Sequence, residues 1–462
     1  MAMQKTIFIS IYDGDTEKII LRSHVLTILK NSGNRIVLLI RGQKRLAYYK
    51  EQFEADNVLV ELLPRALTRA EDLWHHVSWN TVPTYGAYIR RRMRFQKEGG
   101  YLRYYFEAGL WTLGHLRIWR NFLRLMYGSV REDFAADLFE KYKPDLLFSP
   151  NMFSPEDCRL LRAARQRKIR TVATAKSWDV LTTKAFTRVK ADRLLVFNAF
   201  NKEEAVALGD YAQEDVVVTG FPQFDVYSKP PSVSREDFLK ELGISPDKRL
   251  ILFGVPGDWM APHVHEILVA LDKKIAEGAL PAETHILARL HPKYQDTSEG
   301  LVLPHVTFER PGTHFTTGKE FSVDLGISGT YTWTFTNEDI QHLQASIVYS
   351  EAVLNVASTM TLDAVANDRP AVFVAYDGDA ELPYWQSSER YYERNHIKHV
   401  VDTGAVPLVR SHEELVTILN EIMNDPQVRM KERAILQKKL LHTLDGKAGE
   451  RMGEAVLSLL LQ

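Results

Sequence analysis

The chain has 462 residues, 45% of them apolar and 25% charged, with a formal net charge of −1. That length exceeds one ordinary core, so two globular domains are the default, and the charge balance excludes nucleic acid as the main partner, which a basic excess would have to hold. A single cysteine, Cys158, excludes an internal disulfide framework and a multi-cysteine zinc site.

The run Thr6 to Ile11 is rich in strand formers, Ile19 to Lys30 has helical apolar spacing, and Arg35 to Ile40 reads as a second strand. Such a β-α-β opening predicts a mostly parallel sheet. The N-terminus leads directly into this unit without the pattern of a signal peptide. Nowhere does the chain hold the ~18 uninterrupted apolar residues of a spanning helix. The expected location is the cytoplasm, with residues 85–130 bearing on whether the inner membrane face is touched. In that segment basic residues such as Arg90, Arg91, Arg120 and Arg124 interleave with aromatics, and acids are nearly absent. The mixture suits peripheral contact with a membrane or an anionic acceptor chain, or equally a helical hairpin packed on its own domain with its arginines solvated.

The alternation resumes with a strand at Asp145 to Ser149, a helix over Pro155 to Arg167, and strands near Arg170 to Ala175, Arg193 to Phe197 and Asp215 to Thr219. Residues 229–234 contain adjacent prolines and read as a linker. A first domain over 1–228 and a second over 235–462 follow. The second opens with Arg249 to Phe253, a helix from His263 to Glu277, and strands at Thr284 to Leu290, Ala352 to Val356 and Ala371 to Ala375. The last helices are expected at Ser411 to Met423 and Met430 to Leu461, the terminal one a candidate for crossing back to the first domain. The predicted architecture is α/β, with two Rossmann-like doubly wound domains facing across a cleft.

Candidate chemistry gathers in loops after strands, where open α/β sheets collect their ligands. Arg289 and His291 leave the strand HILARL, and Ser358, Thr359 and Thr361 lie in a hydroxyl-rich turn opening a helix after EAVLNV. A helix start offers N–H groups and a positive dipole end to an anion, and the Arg and His supply charge for a diphosphate. Each piece also has a bland reading, as a plain strand end or an ordinary N-cap. Gly254, after RLILF, allows close backbone approach to a ligand. In the segment Lys176 to Lys184, Asp179 stands beside Trp178. There it is either a general base in a dry loop or the cap of a short turn. The tetrapeptide Tyr-Asp-Gly-Asp occurs at Tyr12 to Asp15 and at Tyr376 to Asp379, read in both places as a turn in preference to a metal site. Asp13 remains a candidate for acting at the cleft. No phosphate loop, nucleophile elbow or dinucleotide fingerprint is present.

Four segments together resemble the GT-B glycosyltransferases, particularly the branch of CDP-glycerol glycerophosphotransferases and related surface-polysaccharide enzymes. They are Ser177 to Lys184 (SWDVLTTK), Val218 to Asp225 (VTGFPQFD), Arg289 to Pro292 (RLHP) and Ser358 to Asp363 (STMTLD). The resemblance implies that Arg289 and His291 contact a donor diphosphate and that Ser358, Thr359 and Thr361 bind it. It also implies that Asp363 meets the ribose, with Ser177 and Lys184 in support; a lysine at the position of Lys184 is a family feature. The glycerophosphotransferases carry Trp-His-Gly in the first-domain loop, with that His as proposed base. Here Asp179 follows Trp178, which tilts the expectation toward a sugar donor, since many inverting sugar transferases use a carboxylate. Arg369 stands where relatives often have glycine.

The expected activity is transfer of a sugar from a nucleotide-diphosphate donor to a surface glycan or lipid-linked acceptor, with Asp179 or Asp13 as base. No metal and no cofactor beyond the donor is expected. Alternatives are a CDP-glycerol-type polyol-phosphate transferase, a nucleotide-sugar 2-epimerase, and a non-catalytic glycan- or nucleotide-binding subunit.

Overall fold

A computed structural model of the protein describes residues 4–64, 68–294, 297–298, 300–322 and 327–461. The strand Thr6–Ile11 (β1) is buried along its whole length, as is all but the first residue of Arg35–Ile40 (β2). Continuous apolar runs of this kind need cover on both faces, which a parallel sheet receives from its crossover helices. With Val58–Leu62 (β3), Leu146–Ser149 (β4), Arg170–Thr174 (β5), Arg193–Val196 (β6) and Val216–Val218 (β7) they form a seven-stranded sheet of order β3-β2-β1-β4-β5-β6-β7. Every pairing in it is parallel.

A second sheet is built from Arg249–Gly254 (β8), Thr284–Arg289 (β9), Val306–Glu309 (β10), Ser350–Asn355 (β13), Ala371–Val374 (β14) and Leu408–Val409 (β15), in the order β10-β9-β8-β13-β14-β15. It too is parallel throughout. Between β10 and β13 an antiparallel hairpin, Thr313–Ser322 (β11) with Ile327–Thr334 (β12), stands apart as its own sheet. The chain divides into two compact units, residues 1–225 with 442–462, and residues 226–441. Each unit holds one of the large sheets. Strand order reverses between β1 and β4 in the first and between β8 and β13 in the second, the positions at which doubly wound sheets bind ligands.

Several elements differ from the sequence reading. The helix expected over Ile19 to Lys30 is broken. Asp13 caps a short turn Gly14–Thr16 that runs into a π-helical turn Glu17–Leu21, and a new helix, His24–Asn31, starts from the cap Ser23. The buried carboxylate of Glu17 explains the break, since Arg22 Nε and Tyr49 Oη donate to it at 3.1 and 2.6 Å and fix the irregular turn. The single terminal helix expected from Met430 is two, Met430–Leu440 and Ala448–Leu460, separated by His442 and Gly446 at positive φ. Asp225 caps the last helix by accepting the N–H groups of Ala448 and Gly449 at 2.9 and 2.8 Å. That helix lies on His24–Asn31 so closely that a Cβ at Gly453 would stand 2.8 Å from Ile28 Cβ. Residues 229–234 have no helix or strand, and the division between units falls before them, after Asp225. Among the described residues no helix is long and apolar enough to cross a membrane.

Residues 85–130 fold as helices Tyr85–Glu98, Tyr101–Gly114 and Arg117–Ser129, which follow Arg69–Thr81. Only some of their arginines form the solvated fringe that a packed hairpin was expected to carry: Arg103 and Arg117 are exposed, whereas others are wholly or partly buried. Arg91 is buried among the rings of Tyr88, Tyr104 and Trp111, at 5.3 to 5.6 Å from their centroids. Arg120 grips Asp210 through two N–H groups at 2.8 and 2.6 Å, and Arg124 adds a third at 2.7 Å. Arg90 donates to the carbonyls of Trp79 and Thr183.

Candidate functional site

In the second unit, the carboxyl edge of the sheet brings four residues abreast. Pairing registers set Glu309 beside Arg289, Arg289 beside Gly254, and Gly254 beside Asn355, across the switch between β8 and β13. Arg289 is the last residue of its strand and almost fully buried. It is ion-paired with Glu309, which also takes His342 Nε2 at 2.6 Å. Burial opposes ionisation of Glu309, but the Arg289 guanidinium and the hydrogen bond with His342 outweigh it and hold the carboxyl below its ordinary range. The Nη2 of Arg289 is buried with no hydrogen-bond partner among the described residues. A buried donor of that kind is ordinarily satisfied, so it marks a place for an acceptor brought by a ligand.

His291 follows in the loop. Its Nδ1 accepts the Lys293 N–H at 3.0 Å, so the neutral ring carries its proton on Nε2 and is a donor there. Its ring leans on Tyr294, with centroids 4.7 Å apart.

Beyond β13 the backbone turns sharply, with Ala357 at φ 46°, and the loop is pinned by Asn355. Asn355 Oδ1 accepts the Ser358 N–H at 2.9 Å, and its Nδ2 donates to Thr361 Oγ1 at 3.0 Å. The predicted hydroxyls therefore differ in kind. Thr361 is buried and bonded inward, Ser358 Oγ accepts the Met360 N–H at 3.2 Å, and Thr359 is exposed ahead of helix Met360–Ala366. Asp363 is buried, and its Oδ1 accepts the Tyr227 hydroxyl at 2.6 Å. A Cβ at Gly254 would meet Met360 Sδ at 2.5 Å, so a side chain there would require the flexible thioether to move. Asn355 and Tyr227 escaped sequence reading. Asn355 ends an apolar strand, where a polar residue is a weak but usable signal, whereas Tyr227 has none.

In the first unit, the loops after β1 and β5 place Asp13, Asp15 and Lys176 together. Lys176 Nζ lies 3.0 Å from Asp13 Oδ2 and 2.7 Å from Asp15 Oδ2. Asp13 also accepts Thr16 N–H at 2.9 Å as a helix cap. Burial works against its ionisation, but the Lys176 ammonium and the Thr16 donors overcome that and hold the Asp13 carboxyl far below the usual range. The first Tyr-Asp-Gly-Asp copy is thus a helix start, not a free turn. The second is a turn, with Gly378 at φ 65° and Asp377 accepting Ser388 N–H at 2.9 Å.

Asp179 heads the short helix Val180–Thr183 without capping it through its side chain. It is half-buried, and its Oδ2 accepts the Thr183 hydroxyl at 3.1 Å. Trp178 beside it is buried. The loop is braced by the helical insertion, where Thr84 Oγ1 donates to Thr182 O at 2.6 Å. Ser177 shapes the turn through its carbonyl, which accepts Val180 N–H at 3.2 Å, and Lys184 Nζ stands 5.8 Å from the Trp79 ring. Asn201, on helix Ala199–Gly209, links this loop to a second acid. Its Nδ2 donates to Trp178 O at 2.6 Å and to Glu204 Oε2 at 3.0 Å. Burial first, then the charges of Asp179 and Glu203, push the Glu204 carboxyl up to about 7, against the single opposing bond from Asn201. The displaced titration of Glu204, to which the Asp179 charge contributes after burial, is of a kind that concentrates at functional sites. No local signal in the sequence marks Glu204.

Because the folded state holds the Glu204 proton more tightly than the unfolded chain, this group costs stability as pH rises. The cost is absent below the ordinary value of 4.5 and complete above about 7. Glu204→Gln, which mimics the protonated acid, should therefore gain on the wild type by about 1–3 kcal/mol between those limits. Thermal melts from pH 4 to 8 check it, and parallel profiles for the two proteins would refute the displaced titration.

Two parallel, doubly wound sheets in successive units define the GT-B fold, and the chain has it. Solved structures similar over essentially the whole chain agree. A Listeria monocytogenes protein provisionally assigned as a UDP-N-acetylglucosamine 2-epimerase matches with a TM-score of 0.57 at 11% identity, covering 100% of this chain and 97% of that one. The Staphylococcus aureus MnaA–UDP complex matches at 0.54 and 11% identity, over 99% and 97%. A glycosyltransferase from Rickettsia africae matches at 0.51 and 9% identity, over 98% and 99%. No protein-family model matches the chain, and no curated protein matches it in sequence.

Proposed function

We propose that the protein is a glycosyltransferase that uses a nucleotide-diphosphate sugar and a hydroxyl acceptor on a surface glycan or lipid-linked glycan. The observation that carries this reading is the row Arg289, Gly254 and Asn355 at the switch of the second sheet, with the orphaned Arg289 Nη2, the His291 Nε2 donor and the Ser358–Thr359 turn around it. Those groups suit a diphosphate, which needs cationic and N–H donors rather than acids. The second unit is then the donor domain and the first the acceptor domain.

In the reaction the acceptor oxygen bonds to the anomeric carbon as the bond to the diphosphate breaks. The acceptor proton passes to a carboxylate, and the diphosphate leaves with the electron pair. Asp179 is the better placed base. Asp13 is pinned as an anion by Lys176 and is too weak an acceptor of protons for the task. Lys176 already occupies the space between Asp13 and Asp15, which supports transfer without a metal. A 2-epimerase acting on the same class of donor is the second reading, favoured by the fold shared with the L. monocytogenes protein provisionally assigned as a UDP-N-acetylglucosamine 2-epimerase.

The test is thermal stabilisation by UDP, CDP or GDP, followed by product analysis in EDTA. A nucleotide at a hundred times its dissociation constant adds about 2.7 kcal/mol of stability, and His291→Ala should reduce that gain without altering the unliganded melt. Release of nucleoside diphosphate only when acceptor is present identifies a transferase. Isomerised donor without acceptor identifies an epimerase, and no stabilisation by any nucleotide sinks both. Loss of activity in EDTA, restored by magnesium or manganese, would overturn metal independence.

A further inference from the structure

The hairpin of helices Tyr101–Gly114 and Arg117–Ser129 is amphipathic with its polarity reversed. Several of its charged groups face inward. Glu107 is 1% exposed and bound by Arg94 and Arg103, and Arg120 is buried on Asp210. Its apolar groups face outward, with Leu102 91%, Ile118 78% and Leu125 71% exposed. Tyr105 and Phe106 follow Leu102 by three and four residues, and Phe122 lies between Ile118 and Leu125, so each helix shows one continuous apolar stripe. A folded chain does not ordinarily leave a face of this size to water.

The charge around that face is in basic excess, although Arg103 is also paired with the exposed Glu98 at 3.1 Å and the exposed Asp133 follows Arg131. From Gly99 to Arg131 the only acid is Glu107, which is buried, whereas Arg103, Arg117 and Arg131 are exposed. We infer that this face docks in the plane of a bilayer rich in anionic lipid, with the apolar stripes among the acyl chains and the arginines at the headgroups. A second copy fits poorly, because a two-fold contact apposes like surfaces and would set these arginine rims against each other. The inference is independent of the donor reading, and its readout needs no activity.

Flotation of the full chain with vesicles of equal parts phosphatidylcholine and phosphatidylglycerol should show binding that weakens with salt and is slight on phosphatidylcholine alone. The triple variant Leu102→Glu, Ile118→Glu, Leu125→Glu should lose about tenfold or more in partition, since it removes apolar insertion and adds charge. Arg117→Glu with Arg131→Glu should lose roughly fivefold per cation removed. Unchanged melts would confirm that these exposed positions do not affect folding. No binding by the wild type, equal binding to neutral vesicles, or undiminished binding by the folded triple variant would each overturn the inference. So would a wild-type dimer that the triple variant dissociates without any vesicle binding.

Discussion

Asp179→Asn is expected to lower kcat by about 10²–10⁴ while leaving nucleotide-induced stabilisation nearly unchanged. The substitution keeps the size of the side chain and an oxygen for the Thr183 hydroxyl, which Asp179 accepts at 3.1 Å. What it removes is the capacity to take the acceptor's proton. The groups proposed to hold the diphosphate belong to another unit of the chain, so on that proposal donor affinity has no reason to follow. A second readout separates catalysis from mere positioning. The Asp179 charge helps to hold the Glu204 proton, so in the variant the Glu204 titration should move down from about 7. Near-normal turnover would show that Asp179 only builds the turn. A joint loss of turnover and thermal stability would assign it the same structural role.

The parallel sheets were legible because their strands are unbroken apolar runs: THILAR in β9 is buried at every position, and nothing in it competes with the strand reading. Periodicity failed at Ile19 to Lys30, where one buried carboxylate, Glu17, commands a π turn and the capping Ser23 restarts the helix. At the candidate site, loops after strands were legible but the direction of each side chain was not. Thr361 reads like Ser358 until Asn355, six residues earlier, claims its hydroxyl. Glu204 reads as one more surface acid on a helix, since its displaced titration depends first on burial in the fold and then on the charge of Asp179 in another element. The arginines of residues 85–130 show the same limit. Composition records their number, but whether each is solvated or paired is decided by partners far away in sequence, such as Asp210, 90 residues from Arg120.

That distant pairing carries the largest expected effect on folding. Asp210 closes helix Ala199–Gly209 at φ 58° and receives Arg120 and Arg124 from helix Arg117–Ser129, so one carboxylate joins the insertion to the Rossmann unit. Asp210→Ala would leave the buried Arg120 guanidinium facing only the Gly114 carbonyl, at 2.7 Å. Breaking a buried pair in this way costs about 3–5 kcal/mol. In a unit of this size that corresponds to a fall in melting temperature on the order of 10 °C. Burial raises the Asp210 pKa, but the two arginines outweigh it and hold the carboxyl below its ordinary value. Its stabilisation is therefore present above the unfolded pKa and lost as pH falls through the lower folded one. The gap between wild type and Asp210→Ala should be full at neutral pH and narrow only in strong acid, with Asp210→Asn between the two because it keeps acceptors but no charge. Melts of the three proteins from pH 3 to 8 measure this directly. A gap that stayed constant down to pH 3 would mean that Asp210 acts through the left-handed turn it occupies and not through its charge.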